Sequence, residues 1–176
     1  MKQKCINVVL DLDNTLICSK YRKSKHKPDF EMTVGDEHFF VYKRPGLDRF
    51  IMDLFDNAKS VSVWTAATKD YCNKIVKNIF THDEIKKLKF IWSRGKTSNK
   101  NGKMYLKDMS KVFDTHKALK PYNTLLIDDN IDHMIISPKN ILPIKAWTGN
   151  VKDCELSKIS KMLKQCTSYG SVKSKY

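Results

Sequence analysis

Four short apolar runs, each ending abruptly in polar residues, dominate the hydrophobic pattern of this chain. They are INVVL before Asp11, VSVW before Thr65, TLLI before Asp128 and ILPIKAW before Thr148. Uninterrupted runs of β-branched and aliphatic residues are typical of strands that are buried on both faces of a sheet. The pattern therefore predicts four central strands, each followed by polar residues at its carboxyl end.

Apolar positions at helical spacing predict helices between and after these strands. One helix is expected from Leu47 to about Ala58, and a second from about Lys69 with Thr68 as its N-cap. A third helix is expected over about residues 153–166. Strands that alternate with helices predict an α/β fold with a mostly parallel sheet and helices on its faces.

Two segments depart from this alternation. Residues 30–43 predict a β-hairpin with its turn near Gly35-Asp36, within an insertion of about residues 20–43. Residues 94–104 are rich in lysine, asparagine, serine and glycine, and predict a loop. We expect a single domain over residues 1–166 and a flexible tail over 167–176.

Length and composition fit one globular domain and argue against several classes of protein. The chain has 176 residues, of which 41% are hydrophobic. No apolar run approaches the roughly 20 residues of a bilayer-spanning helix. The start of the chain does not resemble a signal peptide, and the five cysteines are scattered without a C-x-x-C pair. We therefore expect an intracellular protein, nuclear or cytoplasmic, with no membrane partner.

The charge balance points to an acidic partner. The 33 lysines and arginines against 19 acidic residues give a net charge of +14. Such an excess favours nucleic acid, an anionic surface or a phosphorylated molecule. Basic residues cluster at 20–27 and 94–103, and nucleic acid is a candidate partner for these patches. Direct base recognition is disfavoured, because there are only four arginines and no helix-turn-helix or zinc-finger motif.

Reactive side chains follow three of the predicted strands. Asp11 and Asp13 follow the first, Thr65 the second, and Asp128 and Asp129 the third. Ligands of open parallel sheets bind at the carboxyl ends of the strands, so we expect these side chains to converge in one crevice. Clustered carboxylates repel one another unless a cation lies between them, and Mg²⁺ prefers such oxygen ligands. This combination suits phosphoryl transfer.

The spacing D-x-D-x-T, formed by Asp11, Asp13 and Thr15, makes this hypothesis more specific. In a tight loop after a strand, two carboxylates two residues apart can flank one phosphorus atom. The first can attack as a nucleophile, and the second can donate a proton to the leaving oxygen. The motif alone occurs by chance on surface loops, but here it follows INVVL and precedes Leu16-Ile17.

Five motifs in order resemble those of a known family: VVLDLDNTLI, YKRPGLDRFI, VSVWTAATKDYC, YLKDMSKV and TLLIDDN. They resemble the haloacid dehalogenase superfamily, and within it the RNA polymerase II C-terminal-domain phosphatases and their small nuclear relatives. The resemblance extends from about Asn7 to Leu163. It implies a Rossmann-like parallel sheet flanked by helices, with a small β-hairpin insertion and no large cap. It also implies a magnesium-dependent phosphatase that works through an aspartyl-phosphate.

The resemblance assigns catalytic roles to four residues. Asp11 matches the family's nucleophile, and Asp13 matches the general acid that later acts as the base. Thr65 matches the hydroxyl that binds a phosphoryl oxygen, although it could instead cap the next helix. Lys107 matches the lysine that balances charge in the intermediate.

The resemblance also implies a metal site and substrate contacts. The metal would be held by Asp11, Asp128 and Asp129, and by the backbone carbonyl of Asp13. Thr15 and Arg94 are the candidate substrate-binding residues. Arg94 could instead be a surface charge, since the segment between Arg94 and the catalytic lysine is longer than is usual in the family.

Together these features favour a phosphatase that hydrolyses phosphoserine or phosphothreonine in a protein segment, such as an RNA polymerase tail. Two alternatives keep the same fold. One is a polynucleotide end phosphatase, which the basic patches would suit. The other is a catalytically weak, phosphatase-like binding module. A protein that only binds nucleic acid is a third alternative.

Overall fold

The computed structural model describes residues 4, 6–100, 104–130, 132 and 137–169. Its strands, in chain order, are β1 (Asn7–Leu10), β2 (Ile17–Lys20), β3 (Phe30–Val34), β4 (Glu37–Lys43), β5 (Ser60–Trp64), β6 (Ile91–Trp92), β7 (Ser98–Lys100), β8 (Met104–Leu106), β9 (Thr124–Asp128) and β10 (Ile141–Pro143). Its helices are α1 (Leu47–Asn57), α2 (Lys69–Ile79), α3 (His82–Lys87), α4 (Met109–Thr115) and α5 (Glu155–Tyr169).

The central sheet has five parallel strands in the order β10-β9-β1-β5-β6. The chain builds the sheet outward from β1, first through β5 and β6 and then on the other side through β9 and β10. This is the Rossmann-like order, in which the direction of winding reverses beside the first strand. The predicted α/β fold is therefore confirmed, and its ligand crevice is expected between β1 and β9.

Both faces of the sheet are buried, as the uninterrupted apolar runs predict. Val8 and Leu10 point into the larger core, which α1, α2 and α5 cover. Val9, Trp64 and Leu126 point to the opposite face, where they pack with Met109 and Val112 of α4. Because successive side chains of a strand alternate between faces, one apolar strand serves both cores.

The helices begin close to the predicted residues. Gly46 precedes α1 with a φ of 81°, a left-handed conformation that glycine adopts without strain. The Thr68 side chain caps α2 by accepting a hydrogen bond from the backbone NH of Tyr71. Helix α3, which the sequence pattern did not predict, begins with a capping box of Thr81 and Glu84. Among the described residues, no helix has the length and hydropathy to cross a bilayer.

The predicted hairpin is present but belongs to a three-stranded antiparallel sheet. Strands β3 and β4 pair with a turn at Gly35-Asp36, and β2 adds to the other side of β4. The insertion therefore begins at Ile17 and not near residue 20. It rests on α2, where the Phe39 ring contacts the Tyr71 ring at 5.4 Å between centroids.

Three predicted boundaries require correction. Residues 94–104 are not a simple loop, because a 3-10 turn over Arg94–Lys96 is followed by the antiparallel pair β7 and β8; residues 101–103 lie outside the described part. Strand β7 has the sequence SNK, with no apolar residue, and β8 has only the three residues MYL, so no apolar run or alternation marks the pair. The last central strand ends at Pro143, well before Trp147. Helix α5 continues to Tyr169, into the predicted tail, and residues 170–176 are not described.

Candidate active site

Strands β1 and β9 bring two acidic residues together at the carboxyl edge of the sheet. Asp11 directly follows β1, and its backbone NH donates to the carbonyl of Ile127 at 3.0 Å. Asp128 is the last residue of β9 and is fully buried. The polar residues after two separate apolar runs therefore meet at the point where the winding of the sheet reverses.

Lys107 lies between these two carboxylates. Its Nζ donates to Asp11 Oδ1 and, at 2.6 Å, to Asp128 Oδ2. Burial alone would lower the pKa of Lys107, but the two carboxylates outweigh it and raise the pKa, so the lysine is charged. Burial raises the pKa of Asp11 well above its ordinary value, against the opposing charge of Lys107. One ammonium group thus faces more buried negative charge than it can neutralise.

Asp129 completes a cluster of three carboxylates. One oxygen each from Asp11, Asp128 and Asp129 lie within 4.8 Å of one another. Burial, together with the charge of Asp128, raises the pKa of Asp129. Buried carboxylates with raised pKa values are stabilised by a nearby cation, and three oxygen donors at this separation suit a hard ion such as Mg²⁺. The residues present therefore fit the metal that the resemblance implies.

Thr15 orients Asp129. The Thr15 side chain is buried; its hydroxyl donates to Asp129 Oδ1 at 3.2 Å and accepts from the Asp129 backbone NH at 3.1 Å. The Thr15 hydroxyl proton is therefore already donated to Asp129. A direct contact of Thr15 with substrate stays a prediction.

Asp13 lies beside the carboxylate cluster, outside the set of three. Its Oδ1 accepts a hydrogen bond from the hydroxyl of Tyr71, whose oxygen is 2.5 Å from Ser19 Oγ. Burial raises the pKa of Asp13, with the Tyr71 bond acting in the opposite direction. Burial and the charge of Asp13 also raise the pKa of Tyr71, so its phenol keeps its proton and acts as the donor.

Thr65 and Arg94 approach the site from the next strands along the sheet. Thr65 is buried, and its Oγ1 accepts from the backbone NH of Ala67 at 3.0 Å. It does not cap α2, since Thr68 does. The bond from Ala67 uses the hydroxyl oxygen as an acceptor and does not use the hydroxyl proton, which can therefore be donated to a ligand. Arg94 is exposed; its Nε donates to the carbonyl of Ala66 at 2.9 Å, and its guanidinium lies 4.5 Å from the centroid of the Tyr105 ring.

Arg44 connects the D-x-D-x-T loop to the segment that precedes α5. Its side chain is fully buried and forms two bonds with the Asp153 carboxylate, at 2.7 and 2.9 Å. It also donates to the carbonyls of Asn14, at 3.3 Å, and Thr15, at 3.0 Å. Asn14 has a φ of 59°, a left-handed conformation that asparagine tolerates better than most residues, and the Arg44 bond holds this turn.

The structure places Asp11, Asp128, Asp129, Lys107 and Thr15 in one cluster of close contacts, with Asp13 beside it. Thr65 and Arg94 follow β5 and β6 at the same edge of the sheet, and their contact with substrate stays a prediction. Sequence reasoning missed Tyr71, Ser19 and Arg44 as parts of the site. Tyr71 was predicted only as an apolar position of α2. Its hydroxyl was the available signal, because a buried tyrosine usually finds a hydrogen-bond partner.

Comparison with known proteins identifies the family. A family model described as NLI interacting factor-like phosphatase matches residues 6–173. The chain belongs to this family. The predicted resemblance to haloacid dehalogenase-type C-terminal-domain phosphatases is thereby confirmed.

The relatives of this chain include viral and cellular proteins. The CTD phosphatase-like protein 355R of Invertebrate iridescent virus 3 is 32% identical over 175 residues, which cover 89% of this chain and 94% of the relative. A C-terminal domain small phosphatase of Dictyostelium discoideum is 31% identical over 153 residues, which cover 85% of this chain and 46% of the relative. The chain thus matches less than half of the cellular relative.

A solved structure supports the same fold. Fcp1, an essential RNA polymerase II CTD phosphatase, superimposes with a TM-score of 0.72 at 15% sequence identity. The match covers 93% of this chain and 62% of the Fcp1 chain. At this identity the similarity concerns the fold alone.

Proposed function

We propose that this chain is a magnesium-dependent phosphatase that hydrolyses phosphoserine or phosphothreonine in a protein segment. The observation that carries the proposal is the placement of Asp11 against Lys107 and Asp128 where the winding of the sheet reverses. Membership in a phosphatase family supports phosphate-ester hydrolysis as the reaction.

Asp11 and Asp13 divide the chemistry between them. A carboxylate oxygen of Asp11 attacks phosphorus, and the bond from phosphorus to the seryl or threonyl oxygen breaks as Asp13 gives that oxygen its proton. The product of this step is an aspartyl-phosphate. Asp13 then takes a proton from water, whose oxygen attacks phosphorus, so that inorganic phosphate leaves and Asp11 is restored.

Asp11, Asp128 and Asp129 would hold Mg²⁺, together with the backbone carbonyl of Asp13. When bound, the ion offsets negative charge on the transferring phosphoryl group. Lys107 holds Asp11 and Asp128 in place and contributes positive charge to the intermediate. Thr65 offers its hydroxyl to a phosphoryl oxygen, and Arg94 supplies positive charge at the rim.

Two observations support a protein substrate. The two named relatives are a CTD phosphatase-like protein and a C-terminal domain small phosphatase. The insertion is a small three-stranded sheet beside the site, which suits an extended chain better than an enclosed metabolite. The basic cluster at 20–27 follows β2 in the chain and would attract phosphorylated segments of a protein or of a nucleic acid alike.

A side-by-side assay tests the proposal. With Mg²⁺, we expect phosphate release from phosphoserine and phosphothreonine peptides. Removal of the ion with EDTA should abolish this release, and addition of Mg²⁺ should restore it. Oligonucleotides with 3′- or 5′-phosphates are expected to react much more slowly, as measured by kcat/KM.

Two results would contradict the proposal in different ways. Faster hydrolysis of phosphorylated oligonucleotides would identify a polynucleotide end phosphatase, consistent with the basic clusters. No hydrolysis of any phosphate ester with Mg²⁺, in a folded protein that still binds a phosphopeptide, would identify a binding module.

A further inference from the structure

We propose that Tyr71 and Ser19 are positioning residues that hold the Asp13 carboxyl group with Oδ2 toward the leaving group. This inference rests on the proposed function, in which Asp13 protonates the leaving oxygen. It concerns two residues outside the D-x-D-x-T motif, one on the insertion and one on α2.

The hydrogen-bond directions follow from the number of protons available. The Tyr71 hydroxyl has a single proton, and its bond to Asp13 Oδ1 uses that proton. Ser19 Oγ lies 2.5 Å from the Tyr71 oxygen and must therefore be the donor of that bond. The result is a chain of donors that runs from Ser19 through Tyr71 to Asp13.

The Phe39 ring and the Thr68 cap hold Tyr71 in place. Tyr71 is only 7% exposed, and the edge of its ring meets the Phe39 ring at an interplanar angle of 78°. Its backbone is fixed in the first turn of α2 by the Thr68 cap. Ser19 lies on β2, whose neighbour in the sheet is β4. The Asp13 carboxylate is thus held by groups of α2 and β2 as well as by its own loop.

This geometry has a chemical consequence. Because Oδ1 accepts a bond from Tyr71, a proton carried by Asp13 resides on Oδ2, which is the oxygen left to meet the substrate. A carboxyl group that can rotate would spend part of its time with the proton directed away from the leaving oxygen. Orientation of this kind affects proton donation and leaves the attack by Asp11 unchanged.

Leaving groups that differ in their need for a proton provide the test. The experiment compares kcat/KM of the wild-type protein and Tyr71→Phe, with Mg²⁺, for 4-nitrophenyl phosphate, phenyl phosphate and a phosphoserine peptide. The value of kcat/KM reports the steps from substrate binding to departure of the leaving group. Nitrophenolate leaves without a proton, whereas a seryl alkoxide needs one.

We expect Tyr71→Phe to lower kcat/KM for the phosphoserine peptide by roughly 10–100-fold, part of the usual contribution of a general acid. For 4-nitrophenyl phosphate we expect a change below about threefold, with phenyl phosphate in between, because little proton donation is lost. Ser19→Ala is expected to lower kcat/KM for the three substrates in the same order, by smaller factors. Tyr42→Phe is the matched control, since the Tyr42 hydroxyl accepts a bond from the Ser24 backbone NH, and no selective change is expected.

An equal loss on all three substrates, or no loss in Tyr71→Phe, would overturn the positioning role. If Tyr71→Phe does not fold, as judged by circular dichroism, Ser19→Ala decides by the same criterion. Failure of the underlying proposed function is distinguishable, because the wild-type protein would then hydrolyse none of the substrates.

Discussion

Asp11→Asn is expected to abolish phosphate release, lowering kcat by roughly 10³-fold or more while the protein stays folded. The amide that replaces the Asp11 carboxylate cannot form the acyl phosphate, and the proposed mechanism has no second nucleophile. Stability should not fall, because burial raises the pKa of Asp11 and the ionised carboxylate is therefore costly to bury at neutral pH. Phosphate release and urea unfolding of the same preparation measure the two effects.

The matched control for this variant is Asp114→Asn. The Asp114 side chain is 79% exposed and pairs only loosely with Lys117, at 3.6 Å. It should retain wild-type turnover and stability. Residual turnover of Asp11→Asn within tenfold of wild type, in a preparation free of deamidated protein, would be incompatible with Asp11 as the nucleophile.

Arg44→Gln is expected to destabilise the folded protein strongly. It removes a fully buried guanidinium and leaves Asp153, whose side chain is 11% exposed, without its charged partner. Breaking a buried ion pair in this way costs about 3–5 kcal/mol. The D-x-D-x-T loop also loses the bonds to its carbonyls, so turnover should fall as well. Urea unfolding at pH 7 measures the loss as a lower midpoint with unchanged slope.

Urea unfolding of Arg44→Gln and the wild type should be compared at neutral pH. The bonds from Arg44 lower the pKa of Asp153 in the folded protein. The stabilisation is therefore complete above the ordinary aspartate pKa of about 3.9 and is lost as the pH falls through the lower folded value. At strongly acidic pH the difference between Arg44→Gln and the wild type should shrink.

Arg49→Gln provides the comparison for Arg44→Gln. Arg49 also pairs with an aspartate, Asp53, at 3.2 Å, but the Arg49 side chain is 74% exposed on α1, and Asp53 keeps its bonds from Lys164 and Ser160 when Arg49 is replaced. An ion pair whose cation is solvent-exposed contributes about 0–1 kcal/mol. If the two glutamine variants lose the same stability, the buried tie between Arg44 and Asp153 does not have the role that the contacts indicate.

The central sheet and the convergence of the acidic residues could be predicted because both depend on local pattern. Apolar runs such as INVVL show burial on both faces, and parallel strands deliver their carboxyl ends to one edge. Asp11 and Asp128 are therefore neighbours although more than a hundred residues separate them. The fold class follows from the same alternation, and comparison with Fcp1 confirms it.

The contacts that orient the site could not be predicted in this way. Tyr71 fits the apolar face of α2, and its sequence position does not show that its hydroxyl reaches Asp13. Arg44 stands in a short KRPG segment, where its burial depends on Asp153 at the far end of the chain. Such pairings are set by tertiary packing and leave no periodic signal. The net charge of +14 likewise indicates an anionic partner but conceals the acidic centre.

Direct detection of the covalent intermediate tests the central claim, that Asp11 is the nucleophile. In Asp13→Asn, 4-nitrophenyl phosphate with Mg²⁺ should still phosphorylate Asp11, because nitrophenolate leaves unaided. Hydrolysis of the intermediate should be slow without the Asp13 base. Acid quenching followed by mass spectrometry is expected to show one phosphoryl group on the peptide containing Asp11, and none in Asp11→Asn/Asp13→Asn. Turnover without this adduct, or an adduct on another residue, would contradict the account.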